Sequence, residues 1–148
     1  MSEKSFWRWT REGIESVVPS HERRITRIEN AAGQGTPDVT LTIRGTHAWI
    51  ELKFLEEFPR RKATTVKCDH FTQEQRTFLH DECMSGGRAF VWIQVGSEYF
   101  LFDGLEAAMH LGYGSAAWTK EAFKPKALFY HKRGGTMDWN RLVETITK

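Results

Sequence analysis

The chain has 148 residues, of which 40% are hydrophobic and 27% charged, and its 21 lysines and arginines exceed its 19 acidic residues by two. These figures exclude a wholly disordered chain, and no apolar run approaches the 18 or so residues that span a bilayer. The first residues lack the apolar stretch of a signal peptide, and two cysteines are too few for a disulfide scaffold. We therefore expect a cytoplasmic protein with no membrane partner, while the small net charge neither demands nor forbids a nucleic-acid partner.

Hydrophobic periodicity predicts helices where apolar residues recur every three or four positions and strands where they alternate. Pro19 ends the first helix, and Thr72 with Gln75 three residues later predicts a capping box at the start of the second. In chain order we predict a helix over residues 5–18, a strand over 23–30, a glycine-rich loop over 31–37, strands over 39–43 and 46–54, a helix over about 73–84, strands over 89–95 and 99–102, a short helix ending at 112, a strand over 127–130 and a final helix from about 138.

This order of elements indicates an α/β fold. Three strands before the second helix and two after it give a central mixed β-sheet flanked by helices. No internal repeat, low-complexity tract or linker divides the chain. We therefore expect a single domain over residues 1–148, with a core over about 5–103 and a C-terminal elaboration over about 104–148.

The predicted hairpin brings three charged side chains together. With a two-residue turn, Ile43 pairs with Thr46 and Asp38 stands opposite Glu51, so Asp38, Glu51 and Lys53 share one face. A slip of two residues would oppose Asp38 to Lys53 and still keep the three together. Two close carboxylates repel unless a cation lies between them, and Mg²⁺ or Mn²⁺ takes carboxylate, water and phosphate oxygens as ligands. The cluster is either a metal site suited to phosphodiester hydrolysis or a surface hairpin with a cross-strand salt bridge.

The same residues resemble a known family. Pro37-Asp38, followed thirteen residues after the aspartate by Glu51-Leu52-Lys53, resembles the signature of the PD-(D/E)XK nuclease superfamily. The fuller strings over residues 33–38 and 49–53 are similar to small phage-type nucleases, which include the VRR-NUC group and the Holliday junction resolvases. The resemblance covers about residues 24–95 and implies a restriction-endonuclease-like core.

The resemblance also implies a role for each motif residue. Asp38 and Glu51 would be metal ligands, Lys53 the catalytic lysine, and the backbone carbonyl of Leu52 a further ligand. Gln75 would lie at the rim of the site, a role that is compatible with its place in the capping box. The implied cofactor is Mg²⁺, for which Mn²⁺ would substitute.

A further acidic ligand is expected from elsewhere in the chain, since many members of the superfamily add a glutamate from the first helix. Here Glu12 and Glu15 lie opposite the apolar stripe of that helix, where a solvated position is expected. Glu29, just before the glycine-rich loop, is the better candidate, although a strand-end salt bridge would also explain it.

Basic and polar residues flank the acidic cluster on both sides, where they would contact DNA phosphates. The segment over residues 56–69 is rich in basic residues and poor in apolar ones, and we expect a mobile loop that orders on DNA. The candidate DNA-binding residues are Arg23, Arg24, Arg27, Gln34, Arg60, Arg61, Lys62 and Lys67, with further basic residues at Lys124, Lys126, Lys132 and Arg133.

A structural zinc site is a competing interpretation of another cluster. Two cysteines and two histidines are enough ligands for zinc: Cys68, His70, His80 and Cys83. The spacing of the first pair is unusually tight, and a buried cysteine with surface histidines is the alternative.

These observations favour a metal-dependent DNA endonuclease, most specifically one selective for branched DNA such as a Holliday junction. Symmetric cutting of two strands needs two active sites and therefore a homodimer. Trp7, Trp92 and Trp118 are candidate interface anchors, although core packing is the commoner position of a tryptophan. The compartment would be the cytoplasm, or the host cytoplasm if a phage encodes the protein. Two alternatives are a nickase or restriction-like nuclease on duplex or single-stranded DNA, and a catalytically silent nucleic-acid-binding protein of the same fold.

Overall fold

The computed structural model describes residues 2–28, 35–112, 114 and 116–148. None of the described helices is long and apolar enough to cross a lipid bilayer. The elements are α1 (Glu3–Val17), a short 3-10 helix (Ser20–Glu22), β1 (Arg23–Arg27), β2 (Val39–Ile43), β3 (Thr46–Leu55), α2 (Gln73–Met84), β4 (Ala89–Val95), β5 (Glu98–Asp103), α3 (Gly104–His110), α4 (Lys120–Lys126), β6 (Phe129–Lys132) and α5 (Trp139–Thr147).

The strands that the structure describes form one sheet in the order β1-β2-β3-β4-β5-β6. β3 and β4 run parallel, and every other neighbouring pair is antiparallel. Parallel strands need a crossover connection, and α2 supplies it between β3 and β4. The predicted fold class is confirmed: α/β, with a central mixed sheet flanked by helices, as expected for a restriction-endonuclease-like core.

The β2–β3 hairpin has the predicted register. Ile43 pairs with Thr46, and the pairing continues to Val39 and Ile50. The two turn residues have φ angles of 50° and 84°, as a type I′ turn requires. A slip of one residue would move every apolar side chain of the hairpin to the opposite face, so burial of these side chains fixes the register.

Hydrophobic residues pack on both faces of the sheet. Phe6 of α1 and Ile146 of α5 belong to the core on one face, and Leu79 of α2 and Phe123 of α4 belong to the core on the other. Side chains alternate along β3, so Ala48, Ile50 and Leu52 face α1 and α5. Its charged residues therefore face the side of α2, where the candidate site lies.

Three elements differ from the sequence prediction. β1 ends at Arg27, while residues 29 and 30 of the predicted strand lie outside the described residues. β6 begins at Phe129, two residues later than predicted. Helix α4 was not predicted, because it spans seven residues, contains Pro125 and buries only Phe123, which leaves too little periodicity to detect.

The three tryptophans considered as interface anchors are buried, so the structure supports core packing and contradicts the interface role. Trp7, Trp92 and Trp118 are 9%, 1% and 6% exposed. The indole N–H of Trp92 donates to the Thr10 hydroxyl at 2.9 Å, which satisfies its polar atom inside the core. These side chains hold the fold together and offer no surface for a partner.

The segment between β3 and α2 is anchored to the fold, although its sequence suggested a mobile loop. Val66 and Cys68 are buried, with 1% and 3% of their surface exposed. The backbone N–H of Val66 donates to the carbonyl of Trp118 at 2.9 Å. The basic residues of the segment remain exposed between these anchors.

Candidate active site

The predicted charged cluster forms on the α2 side of the sheet. Asp38 directly precedes β2, while Glu51 and Lys53 lie in β3. The side chains of Glu51 and Lys53 are only 2% and 5% exposed and form an ion pair at 3.1 Å. A solvated surface hairpin is therefore excluded, because charged side chains are buried to this degree only when other groups compensate them.

The Lys53 ammonium has an acceptor for each of its three N–H bonds. Its Nζ donates to the His70 backbone carbonyl at 2.9 Å and to Gln75 Oε1 at 3.0 Å, and the Glu51 carboxylate is the third partner. The Phe71 ring centroid lies 5.2 Å from Nζ and adds a cation–π contact. These contacts hold the buried cation in one position.

Gln75 has both of the roles that its sequence position suggested. Its side chain and Thr72 form the predicted capping box at the start of α2. The same Oε1 atom accepts from the Thr72 backbone N–H at 3.0 Å and from Lys53. The start of α2 therefore fixes the position of the lysine.

Asp38 replaces a backbone acceptor at the end of the β2–β3 ladder. Its Oδ2 accepts the backbone N–H of Leu52 at 2.8 Å. The register of β2 and β3, continued two residues beyond Val39 and Ile50, places Pro37 opposite Leu52. Because proline has no N–H, Pro37 cannot donate a hydrogen bond to the Leu52 carbonyl. The N–H and C=O of one antiparallel strand residue point to the same neighbour, so the Leu52 carbonyl faces Pro37 and the side of Asp38.

The burial of the Glu51 carboxylate is only partly compensated by ion pairs and hydrogen bonds. Its Oε2 pairs with Lys53, but its buried Oε1 accepts no hydrogen bond from any described residue. Burial raises the pKa of Glu51 to about 8 against a lowering by the Lys53 ammonium, and the neighbouring Asp38 carboxylate adds to the rise. A further cation bound next to Glu51 and Asp38 would therefore be electrostatically favourable.

The donor set fits a divalent cation that prefers oxygen ligands. Asp38 and Glu51 supply carboxylates, and Leu52 supplies a carbonyl on the same side. No group of three or more His, Cys, Asp or Glu side chains able to hold a metal occurs among the described residues. Carbonyl, water and substrate oxygens would therefore have to complete the ligand set of such an ion.

The expected additional acidic ligand is not found among the described residues. Glu29 and Gln34 lie outside them. Glu12 is exposed on α1, and Glu15 pairs with Arg11 at 3.3 Å on the opposite face of the sheet. Both α1 glutamates thus occupy the solvated positions that the helix pattern predicts.

The arginines of β1 are divided between the two faces of the sheet. Arg23 lies 3.6 Å from Glu15, and Arg27 lies 3.6 Å from Glu3, so both face α1. Arg24 alternates with them and is exposed on the face that carries the candidate site. Four other predicted DNA-binding residues are exposed on the segment after β3: Arg60, Arg61, Lys62 and Lys67.

The four residues considered for zinc have other partners or lie apart. His80 contacts Asp81 at 2.9 Å, and the Cys83 thiol donates to the Ala89 carbonyl at 3.7 Å. Cys68 is buried, while His70 is exposed and its backbone carbonyl accepts from Lys53. The described residues therefore offer no zinc site.

Arg76 supports the site and was missed in the sequence. This arginine is 4% exposed, and its guanidinium donates to the carbonyls of Ala108 and Leu111 at 3.0 and 2.7 Å. It also lies over the Phe71 ring at 4.1 Å, so it fastens α2 and the preceding turn to the end of α3. Arg76 lies three residues before Leu79 and therefore on the same side of α2, which indicates burial. This signal is easily overlooked, because arginine is usually an exposed residue type.

Comparisons with known proteins give likenesses among solved structures alone. No family model matches the sequence, and no curated protein matches it. Among similar solved structures is Hjc of Archaeoglobus fulgidus, a Holliday junction resolvase from an archaeal hyperthermophile. The two chains are 14% identical, the match covers 81% of this chain and 93% of that one, and the TM-score is 0.48. A likeness at this level does not establish a shared activity.

Proposed function

We propose that this protein is a metal-dependent endonuclease that hydrolyses phosphodiester bonds in DNA. The observation that carries the proposal is the buried Glu51 oxygen without a hydrogen-bond partner, next to a second carboxylate and a buried lysine. Burial and the nearby Asp38 disfavour the ionised form of Glu51, and a bound cation would favour it. The resemblance of the motif residues to PD-(D/E)XK nucleases supports the same proposal.

The chain's own residues divide the work of such a reaction. Asp38, Glu51 and the Leu52 carbonyl would hold Mg²⁺, for which Mn²⁺ would substitute. When bound, the ion would supply positive charge that polarises the phosphodiester. Lys53 would orient the attacking water or neutralise the developing oxyanion, and Gln75 would keep the Lys53 ammonium in place.

Branched DNA, and a four-way junction in particular, is the substrate that we favour. The support is the likeness of residues 33–38 and 49–53 to phage-type nucleases and junction resolvases. Symmetric nicking of a junction would require a homodimer, because each subunit carries one such site. A nickase or restriction-like activity on duplex or single-stranded DNA is the alternative within the same chemistry.

A catalytically silent DNA-binding protein is the second candidate, and one observation favours it. All three N–H bonds of Lys53 have protein acceptors, so none is directed at a water or a phosphate. Catalysis therefore requires that one of these bonds be exchanged when substrate and ion bind. A catalytically silent protein would keep all three contacts of the Lys53 ammonium when it binds DNA.

The test compares cleavage of three labelled substrates: a four-way junction, a linear duplex and a single strand. Each is incubated with Mg²⁺, Mn²⁺ or EDTA. We expect symmetric nicks in the junction with either ion and none in EDTA. Asp38→Asn and Lys53→Ala should each lower the rate by about 100-fold or more.

Matched controls separate the site from general charge effects. Asp69→Asn and Lys4→Ala remove the same charges from exposed positions and should leave the rate unchanged. Cleavage that survives Asp38→Asn or Lys53→Ala would contradict the site assignment. Binding of all three substrates without cleavage would leave the silent protein, and equal cleavage of all three would contradict junction selectivity.

A further inference from the structure

A second charged feature lies at the same end of the sheet as the candidate site. A pocket of about 370 Å³ opens between the segment that follows β3 and helix α4. We call it the basic pocket, because four cations and two aromatic rings line it: Arg60, Lys62, Lys120, Lys124, Phe58 and Phe100.

The walls of the basic pocket are held by packing. The Phe58 ring lies edge-on to Phe100 at 5.9 Å and to Phe123 at 5.2 Å, which joins the segment to the sheet and to α4. Thr65 and Thr119 form a β-bridge between the same two parts of the chain. The cations are therefore mounted on a preformed surface, which lowers the entropic cost of binding.

The acidic side chains of the pocket are already engaged. Glu98 accepts a hydrogen bond from the Tyr130 hydroxyl at 2.7 Å, and Glu121 pairs with Lys62 at 3.7 Å. Four cations line the pocket against these two carboxylates, so positive charge is in excess by about two. The pocket thus favours an anion.

Aromatic rings position the two lysines that α4 contributes. Lys120 Nζ lies 5.1 Å from the centroid of Phe58, and Lys124 Nζ lies 4.6 Å from that of Tyr130. Within the described residues, Arg60, Lys120 and Lys124 form no ion pair. Cations held beside rings in this way suit a backbone phosphate.

The register of the sheet relates the basic pocket to the candidate site. Lys53, Ile93, Phe100 and Tyr130 occupy one row across β3, β4, β5 and β6. Neighbouring strands lie about 4.8 Å apart, so Phe100 is about 10 Å from Lys53 along that row. This distance is short enough for one DNA molecule to contact both places.

We propose that the basic pocket binds a backbone phosphate of DNA near the phosphodiester held at the candidate site. The choice of DNA as the ligand rests on the proposed function. The pocket brings together Arg60, Lys62 and Lys124, which the sequence had given as separate basic residues, and adds Lys120 of α4. Lys120 and Lys124 would be its principal phosphate contacts.

The experiment measures DNA affinity without metal, so that cleavage does not enter the result. A fluorescein-labelled 20-bp duplex is titrated in EDTA at several salt concentrations, and binding is followed by fluorescence anisotropy. Lys120→Gln and Lys124→Gln should each lower the slope of log K against log[salt] by about 0.9, which corresponds to about an eightfold loss of affinity at 0.1 M salt. Lys4→Gln removes an exposed charge from α1, on the other face of the sheet, and should cost less than about twofold.

The position of the contact is tested with neutral phosphates. Single methylphosphonates are placed along one strand of the duplex. At one position the neutral group should weaken binding by wild-type protein and have no effect on Lys120→Gln, because the two changes remove the same contact. Urea unfolding of each variant verifies that the fold is retained.

Each outcome bears on one proposal. Unchanged affinity in Lys120→Gln and Lys124→Gln, an equal loss in Lys4→Gln, or no methylphosphonate position that behaves as expected would overturn the basic pocket, even if the protein cleaves DNA. Pocket-dependent binding by a protein that never cleaves would support the pocket and contradict the proposed nuclease.

Discussion

Glu51 is the side chain of the candidate site for which burial is energetically most unfavourable. It is 1% exposed, shares Lys53 with two other acceptors and leaves one oxygen without a partner. Desolvation of a carboxylate costs several kcal/mol unless charges and hydrogen bonds compensate it. A cation that joins Glu51 to Asp38 would remove this deficit, so ion binding and stability should be linked.

Divalent ions should therefore stabilise the protein through this pair. At a free Mg²⁺ or Mn²⁺ concentration about 100 times the dissociation constant, we expect the free energy of unfolding to rise by about 3 kcal/mol. Asp38→Asn and Glu51→Gln should abolish most of this gain, because each removes a ligand. Urea unfolding with ion or with EDTA measures it, and Asp69→Asn is the control. If the ion raised the unfolding free energy of Glu51→Gln as much as that of the wild type, the ion would bind elsewhere.

His131 gives a pH dependence that is independent of the site. Partial burial lowers its pKa below the ordinary 6.5, as it packs against Trp9 and its strand partner Tyr99, whose hydroxyl accepts from Arg133. The folded protein then binds fewer protons than the unfolded chain, so this contribution to stability is present above pH 6.5 and is lost as the pH falls through the lowered pKa. We expect His131→Gln to reduce the loss of unfolding free energy between pH 7 and 5. An unchanged pH profile would contradict this assignment.

At the scale of elements, α2 connects the glycine-rich loop to the lysine. The first turn of α2 carries Gln75, which contacts Lys53. Gly35, at the end of the loop, has a φ of +89°, and a Cβ there would lie 2.5 Å from the Glu74 carbonyl oxygen. The loop end, the start of α2 and the lysine are therefore packed as one unit, in which a small displacement would reach the site.

Gly35→Ala should disturb this unit in two ways. The positive φ costs about 1 kcal/mol for alanine, and the clash with the α2 backbone adds to that cost. Gly45→Ala is the matched control, since Gly45 has a φ of +84° and nothing within 4 Å of the added atom.

We expect Gly45→Ala to lower the unfolding free energy by about 1 kcal/mol and leave the ion-induced stabilisation intact. Gly35→Ala should cost about 2–4 kcal/mol and also weaken that stabilisation. Equal effects of the two substitutions on both quantities would show that the contact between Gly35 and α2 does not position the site.

The sequence predicted those elements whose local signals agree with their tertiary role. The hairpin alternates cleanly and its turn admits two positive φ angles, so its register and the shared face of Glu51 and Lys53 followed directly. Helix α2 was predicted through its capping box. Arg76 could not be placed, because its burial depends on carbonyls of α3 more than 30 residues away. The basic pocket depends on the same kind of long-range pairing.

At the scale of the whole molecule, the sheet separates two hydrophobic cores, and the candidate site lies on the side of one of them. The face toward α2 carries the candidate site and the basic pocket, while the face toward α1 and α5 is packed with apolar residues. Side chains on opposite faces of β3 do not touch, since successive residues alternate. Damage to the α1 and α5 face should therefore lower overall stability without altering the chemistry of the site.

Gly13→Ala tests this separation. Gly13 lies on α1 under the Trp139 ring of α5, and a Cβ there would come within 2.0 Å of that ring. Alanine at an open helical position stabilises by about 1 kcal/mol relative to glycine, so a destabilisation of about 1–3 kcal/mol would come from the clash. The difference in unfolding free energy between Mg²⁺ and EDTA should stay within about 0.5 kcal/mol of wild type, as it should in the α1 surface control Ser16→Ala. If Gly13→Ala reduced that difference, the two faces would be coupled through the sheet, and the site would depend on the core behind it.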